Sequence, residues 1–140
     1  MDLKTMVEQF EVVTRGQGLF EFTEQVRKVV SHSGVSEGLC TLFMCHTSAS
    51  MTIQENADPS ARKDLEHWLS RLVKEDDPLY THTCEGSDDM PAHIKAALTA
   101  TSLSIPIING RLVLGTWQGI FCWEHRYGNH RRKVAVHIGG

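Results

Sequence analysis

The sequence predicts an α+β fold, an antiparallel-rich β-sheet or sandwich with a few helices, spanning 1–140 as a single domain. Two turn signals carry this reading: Asn109-Gly110 lies between apolar runs, as a hairpin turn does, and Gly128-Asn129 marks a second turn between expected strands. Helical periodicity is confined to three segments, and no repeated βαβ pattern marks a parallel sheet. A chain of 140 residues closes one core and is too short for two.

Residues 4–14 alternate loosely between polar and apolar side chains and end at Gly16-Gln17-Gly18, a first strand followed by a turn. From Thr23 the valines at 26, 29 and 30 recur at helical spacing, with Glu24 near the start and Gly34 near the end. Gly38 opens the run Leu39–Cys45, short and almost wholly apolar, as a strand covered on both faces would be. Ser50–Gln54 reads as a further short strand. Asp58 and Pro59 then start a helix, Asp as N-cap and Pro in the first helical position. That helix runs to about Val73 and puts Ala61, Leu65, Trp68, Leu69 and Leu72 on one face, leaving His67 on the surface.

Residues 74–90 form the longest irregular stretch, and long loops in compact domains tend to be functional or mobile. Pro91 begins a short helix, Ala92 to Ala100. Strands are expected at Leu103–Ile108, Arg111–Trp117, Ile120–His125 and Lys133–Ile138.

A formal net charge of −3 argues against a nucleic-acid partner, which calls for a clustered basic face. The basic residues Arg126, Arg131, Arg132 and Lys133 form only a local group. Four cysteines at 40, 45, 84 and 122 contain no Cys-x-x-Cys pair, so the expectation is reduced, buried thiols. The amino terminus, Met1-Asp2-Leu3-Lys4, lacks the apolar core of a signal peptide, and nowhere do 18 apolar residues run together. The expected protein is cytoplasmic and makes no membrane contact.

Eight histidines are the strongest chemical signal, because four of them, His46, His82, His93 and His125, fall at strand ends, in the long loop or at a helix start. Neutral imidazole ligates transition metals, and it moves protons near neutral pH. No His-Glu-x-x-His or His-x-His is present, so a metal site must be assembled from separate elements. Among the carboxylates, Asp58 serves as a cap and Asp88 and Asp89 are available to the helix that follows; Glu55 and Glu124 are harder to explain structurally. Cys45 and His46 are neighbours in a strand and point to opposite faces, which disfavours a Cys-His nucleophile.

Three stretches resemble the signatures of the YjbQ-like family: His46-Thr47-Ser48-Ala49 through Glu55-Asn56-Ala57-Asp58-Pro59, then Glu85-Gly86-Ser87-Asp88-Asp89-Met90-Pro91-Ala92-His93-Ile94-Lys95, then Gly115-Thr116-Trp117-Gln118-Gly119-Ile120. Glu124-His125-Arg126 resembles one branch of that family. The resemblance implies an α+β homotrimer with sites near subunit boundaries. It also implies a secondary thiamine-phosphate synthase activity, joining hydroxymethylpyrimidine diphosphate to a thiazole phosphate with release of diphosphate.

Carried over residue by residue, the resemblance implies His46, His82 and His93 as a metal or catalytic centre, with Glu55, Asn56 and Gln118 around it. The implied metal is Zn or another transition ion, with Mg possible beside a diphosphate. Lys95 and Arg126 are the candidate cations for the departing group, and Ser48, Asn56 and Gln118 the neutral hydrogen-bonding partners. Glu124 joins them as a substrate contact. Trp117 is placed either against a substrate ring or in the core. Besides the synthase, two readings remain open: a metal-dependent hydrolase of a phosphorylated metabolite, and a non-catalytic trimer that binds a metal or small ligand.

Overall fold

A computed structural model of the protein describes residues 4–140; Met1-Asp2-Leu3, inspected above for a targeting segment, lie outside the described residues. In chain order the elements are β1 (Thr5–Arg15), β2 (Gly18–Glu21), α1 (Thr23–Ser33), β3 (Gly38–Met44), β4 (Ala49–Glu55), α2 (Pro59–Leu72), α3 (Asp89–Leu98), β5 (Ser102–Ile108), β6 (Arg111–Leu112), β7 (Gln118–Glu124) and β8 (Asn129–Gly139). They build a five-stranded sheet, β1-β8-β3-β5-β6, and a three-stranded sheet, β2-β7-β4, with every strand pair antiparallel. The α+β class expected from the sequence is the class observed. No helix among the described residues is long and apolar enough to cross a membrane.

The main core fills the space between the sheets. Leu42, Ile105, Val134 and Val136 of the larger sheet meet Met51, Ile120 and Cys122 of the smaller one, and Val26, Val29 and Val30 of α1 join them. Alternate residues of β7 face the other way: Phe121 and Trp123, with Leu19, pack against Leu69 and Val73, backed by Leu65 and Ile94. β7 is therefore covered on both faces. Burying a side chain such as Phe121 fully contributes about 1.5–3 kcal/mol.

Several boundaries differ from expectation for definable reasons. β2 was not expected, only its first residue, Gly18, falling in the turn read there; its four residues are held by pairing with β7, Gly18 opposite Glu124 and Glu21 opposite Phe121. β1 and β8 pair over all eleven residues, Thr5 opposite Gly139 through Arg15 opposite Asn129, so β8 begins four residues earlier than its apolar run. The Asn109-Gly110 hairpin forms as predicted, with positive φ at both residues. Its second strand, β6, stops at Leu112 instead of running to Trp117. The Val113 N–H donates to the Pro106 carbonyl at 2.9 Å, and Pro106 has no N–H to return the bond.

Asp58 caps α2 as expected, accepting from the Ser60 N–H at 2.9 Å, with Pro59 in the first turn. The apolar face of α2 is narrower than its periodicity suggests. Leu69 is buried, while Trp68 and Leu72 are about half exposed. His67 is exposed, as expected. α3 starts two residues before Pro91, which is tolerated because first-turn N–H groups have no intrahelical partner in any case. Of the four free cysteines, Cys40 and Cys122 are buried, but Cys45 and Cys84 are exposed, contrary to the expectation of burial.

Candidate functional site

The early start of α3 decides the site. With Asp89 as its first residue, Asp89 and His93 stand four apart on one helical face, and the long loop brings His82 to the same place. Asp89 Oδ2 accepts from His82 Nε2 at 2.8 Å and lies 3.3 Å from His93 Nε2. The two imidazole rings meet edge to face with centroids 5.5 Å apart. One atom from each of the three residues lies within 4.8 Å of the others, a spacing that a single ion could span. Asp89 is buried, His93 is half-buried and His82 is exposed, so the group opens outward from a fixed carboxylate.

Arg126 fixes that carboxylate. Its Nη1 donates to Asp89 Oδ1 at 3.0 Å, its Nε to Asp88 Oδ2 at 3.0 Å, and its Nη2 to the Glu85 carbonyl at 2.9 Å. Asp88 makes no capping bond to α3; it accepts from Arg126 and from the Tyr127 N–H at 2.8 Å. Burial works to raise the Asp88 carboxyl, and the Arg126 and Tyr127 hydrogen bonds outweigh it and hold it below the usual carboxylate range. The guanidinium is thus spent on organising the Glu85–Asp89 turn. Arg126, expected to face a departing group, here pairs with Asp88 and Asp89 while its side chain stays 23% exposed.

Next to this group lies a cavity of about 870 Å³, open to solvent and lined by His93, His46, Ser48, Cys45 and Phe43, with Met44, Ala96 and Ala97 in its apolar wall. His93 belongs to both the carboxylate-histidine group and the cavity. His46 lines the cavity and is absent from the three-residue group. Its Nε2 accepts from the Lys133 N–H at 2.8 Å, which requires the Nδ1–H tautomer and occupies the lone pair a metal would need. Burial, then the nearby Arg132, hold His46 below its ordinary pKa, so it is neutral near pH 7. His46 thus stands in the cavity wall as a neutral imidazole, and the residue that joins His82 and His93 within ion-spanning distance is Asp89.

The remaining expected site residues scatter. Glu55, Asn56, Trp117 and Gln118 sit at the far end of β4 from Ser48, about 20 Å along a seven-residue strand. There Glu55 accepts from the Asp58 N–H at 3.0 Å, Asn56 donates to Glu21 at 3.0 Å, and Gln118 accepts from the Gly115 N–H at 2.7 Å. Trp117 is 63% exposed, which removes the core-packing alternative.

Glu124 is buried and saturated, accepting from Arg132 Nε at 2.7 Å, Arg132 Nη2 at 2.5 Å, Thr14 at 2.6 Å and the Arg126 N–H at 3.1 Å. It is a structural ion-pair partner and is not free to touch a substrate. Lys95 is buried and lines a different cavity from His93. Burial lowers its pKa, against the pull of Glu75 and Asp88.

Two functional-looking features escaped the sequence reading. Asp89 was taken as a residue serving the helix, and the i, i+4 spacing to His93 was the signal that would have found it. Ser50, expected only as the first residue of a strand, is buried in β4 with its hydroxyl 2.9 Å from His125 Nε2. Burial, with Lys95 nearby, lowers the His125 pKa to about 3. No comparable sequence signal pairs residues 75 positions apart.

Fold and site together define a two-sheet α+β protein with a two-histidine, one-carboxylate group beside a largely apolar cavity. The chain belongs to the YjbQ-like family: residues 8–140 match the family described as "UPF0047 protein YjbQ-like". It is 57% identical over 129 residues to "UPF0047 protein sll1880" of Synechocystis sp., covering 92% of this chain and 88% of the relative. It is 42% identical to "UPF0047 protein YjbQ" of Escherichia coli O157:H7, covering 87% and 89%. Among solved structures, a YbjQ-like protein of Sulfolobus solfataricus P2 superposes with a TM-score of 0.90 at 26% identity, covering 99% of both chains. A YjbQ/UPF0047-family protein of Clostridium acetobutylicum gives a TM-score of 0.83 at 39% identity, covering 95% of this chain and 98% of that one.

Proposed function

We propose that the protein is a divalent-metal-dependent enzyme acting on small phosphorylated metabolites, and that its reaction is the thiamine-phosphate synthase reaction implied by the family resemblance. The observation that carries this reading is the convergence of His82, Asp89 and His93, the last of which also lines the His46 cavity. A mixed imidazole and carboxylate set suits Zn or a similar first-row ion, and three protein ligands leave positions open for substrate. A metal held there would supply Lewis acidity toward diphosphate oxygens.

The chain's own groups divide the remaining work. Arg126 keeps Asp89 in place, and the buried carboxylate orients both imidazoles. Phe43 and the alanines of α3 give the cavity an apolar wall against which a pyrimidine ring would lie. Neutral His46 and Ser48 donate hydrogen bonds from the opposite rim, fixing ring orientation. In the reaction the pyrimidine methylene carbon loses diphosphate, carrying the bonding pair away, and gains a bond to the thiazole nitrogen.

A homotrimer fits this arrangement. The outer face of the larger sheet carries exposed Val7, Val13, Leu39 and Phe43 among polar side chains such as Glu11, Arg131 and His137, a mixed surface on which further copies could pack. Phe43 belongs to both this face and the cavity, so covering the face with second and third copies would close the site. The ends of β4 separated within one chain would then have a route to meet across subunits.

One observation favours a hydrolase as the second reading: the exposed His82 side of the group is open to water. The deciding experiment is diphosphate release measured with the pyrimidine diphosphate alone, and with the thiazole phosphate added. Release that needs both substrates and is lost in Asp89→Asn supports the synthase. Release from the single substrate supports the hydrolase, and no release from either, with metal bound, overturns both.

A further inference from the structure

Arg27, Val30 and Ser31 stand three and four positions apart and so share one face of α1. Opposite them the tip of the β5–β6 hairpin, tied down by the Gly110 N–H donating to the Ser36 carbonyl at 2.9 Å, brings up Arg111. Between helix and hairpin lies a cavity of about 440 Å³, lined by these four residues with Gly110 and Leu112. Val30 is buried and Leu112 partly so, which makes one part of the wall apolar. No carboxylate is among the lining residues.

Both guanidiniums have donors to spare. Among the described residues the arginines in ion pairs are Arg27, Arg126 and Arg132, and Arg111 is in none. Arg27 donates from Nη1 to Glu24 Oε1 at 2.7 Å. Both side chains of that pair are more than half exposed, and exposed pairs hold their partners weakly. A guanidinium carries five N–H donors, so most of those on Arg27 stay open. The carbonyl end of α1 would oppose an anion, but its carbonyls are engaged: that of Val30 accepts from the Ser33 hydroxyl at 2.6 Å, and that of Gly34 accepts from Lys4 Nζ at 3.2 Å. The charge at the cavity is therefore positive, two guanidiniums against the single Glu24 carboxylate.

We propose that this cavity is an oxyanion-binding site, in which Arg27 from the helix and Arg111 from the hairpin hold the phosphate or carboxylate of a small metabolite between them. The planar guanidinium forks match the paired oxygens of either group, and the Ser31 hydroxyl adds a neutral donor. Val30 and Leu112 receive an apolar part of the same molecule. The site shares no lining residue with the His46 cavity and does not depend on the metal reading.

The test is a titration of the full chain, labelled with ¹⁵N at arginine, with inorganic phosphate and separately with acetate at constant ionic strength. The expected result is a saturable shift of the Arg27 and Arg111 Nε–H signals with one shared dissociation constant. Saturation by phosphate alone assigns a phosphoryl group, by acetate alone a carboxylate, and by both an oxyanion in general. Arg111 is exposed, so Arg111→Gln is expected to fold, and to bind about tenfold or more weakly through loss of a charge-assisted hydrogen bond. Glu24→Gln, which removes the carboxylate competing for Arg27, is expected to bind more tightly. Lys63→Gln removes the same charge from an exposed position on α2 and is expected to leave the affinity unchanged. Asp89→Asn is expected to retain phosphate binding, so failure of the metal centre leaves this site standing. An unsaturable response in the wild type, equal binding by Arg111→Gln, or an equal loss in Lys63→Gln overturns the proposal.

Discussion

Asp89 and His93 stand one turn apart on α3, and Oδ2 of the aspartate, 3.3 Å from Nε2 of the histidine, also holds His82 Nε2 at 2.8 Å. The other carboxylate oxygen is taken by Arg126, so the carboxylate cannot rotate away. Asp89→Asn keeps the shape and removes the charge. It is expected to abolish bound transition metal, measured by elemental analysis of the purified protein, without loss of the far-ultraviolet dichroism of the fold.

Arg126 acts on the same centre through Asp89. Arg126→Gln is expected to weaken metal binding by roughly 10–100-fold, the usual cost of losing the partner of a ligand. A competition titration against a chelating indicator reads this directly; unchanged affinity would show that Asp89 needs no such support.

His46 separates the two roles expected of it. With its Nε2 lone pair committed to the Lys133 N–H, His46→Ala is expected to leave metal content unchanged and to raise KM more than it lowers kcat. Loss of metal in this variant would restore His46 as a ligand.

Burial of His125 predicts a particular pH dependence. Its folded pKa, about 3, lies below its ordinary 6.5, so between these values the unfolded chain binds a proton that the native chain does not. Stability is therefore expected to fall as pH drops from about 6.5 toward 3, as urea midpoints across that range would show. His125→Gln should flatten this limb.

Glu124 acts lower on the scale. Although burial raises its pKa, the Arg132 and Thr14 bonds more than compensate and depress it below its ordinary 4.5. Its contribution is present above that value and is lost as pH falls through the depressed folded pKa. Arg132→Met leaves the buried carboxylate unpaired and is expected to cost about 3–5 kcal/mol near neutral pH. The double variant with Glu124→Gln should recover most of it.

Self-association is testable on Phe43, the exposed aromatic shared by the sheet face and the cavity. Phe43→Asp is expected to convert a trimer to monomers in sedimentation velocity, and to lower activity with it. A wild type that sediments as a monomer would remove the trimer from the proposal.

Some of this was readable along the chain. The Asn109-Gly110 hairpin, the Asp58-Pro59 helix start and the valine stripe of α1 are local features, because turn backbone, capping and periodic burial act between residues a few positions apart. Family signatures likewise pointed to His82 and His93 as site residues. Only the tertiary structure decided that Asp89 and not His46 completes their group, since that rests on where α3 starts relative to Pro91 and on an Arg126 bond reaching back 37 positions. It also decided that Glu124 serves Arg132, that Lys95 faces another cavity, and that Glu55 and Gln118 lie a strand's length from Ser48. Pairings of charge and burial over such separations are set by which surfaces the two sheets and the helices bring together, and no local pattern encodes them.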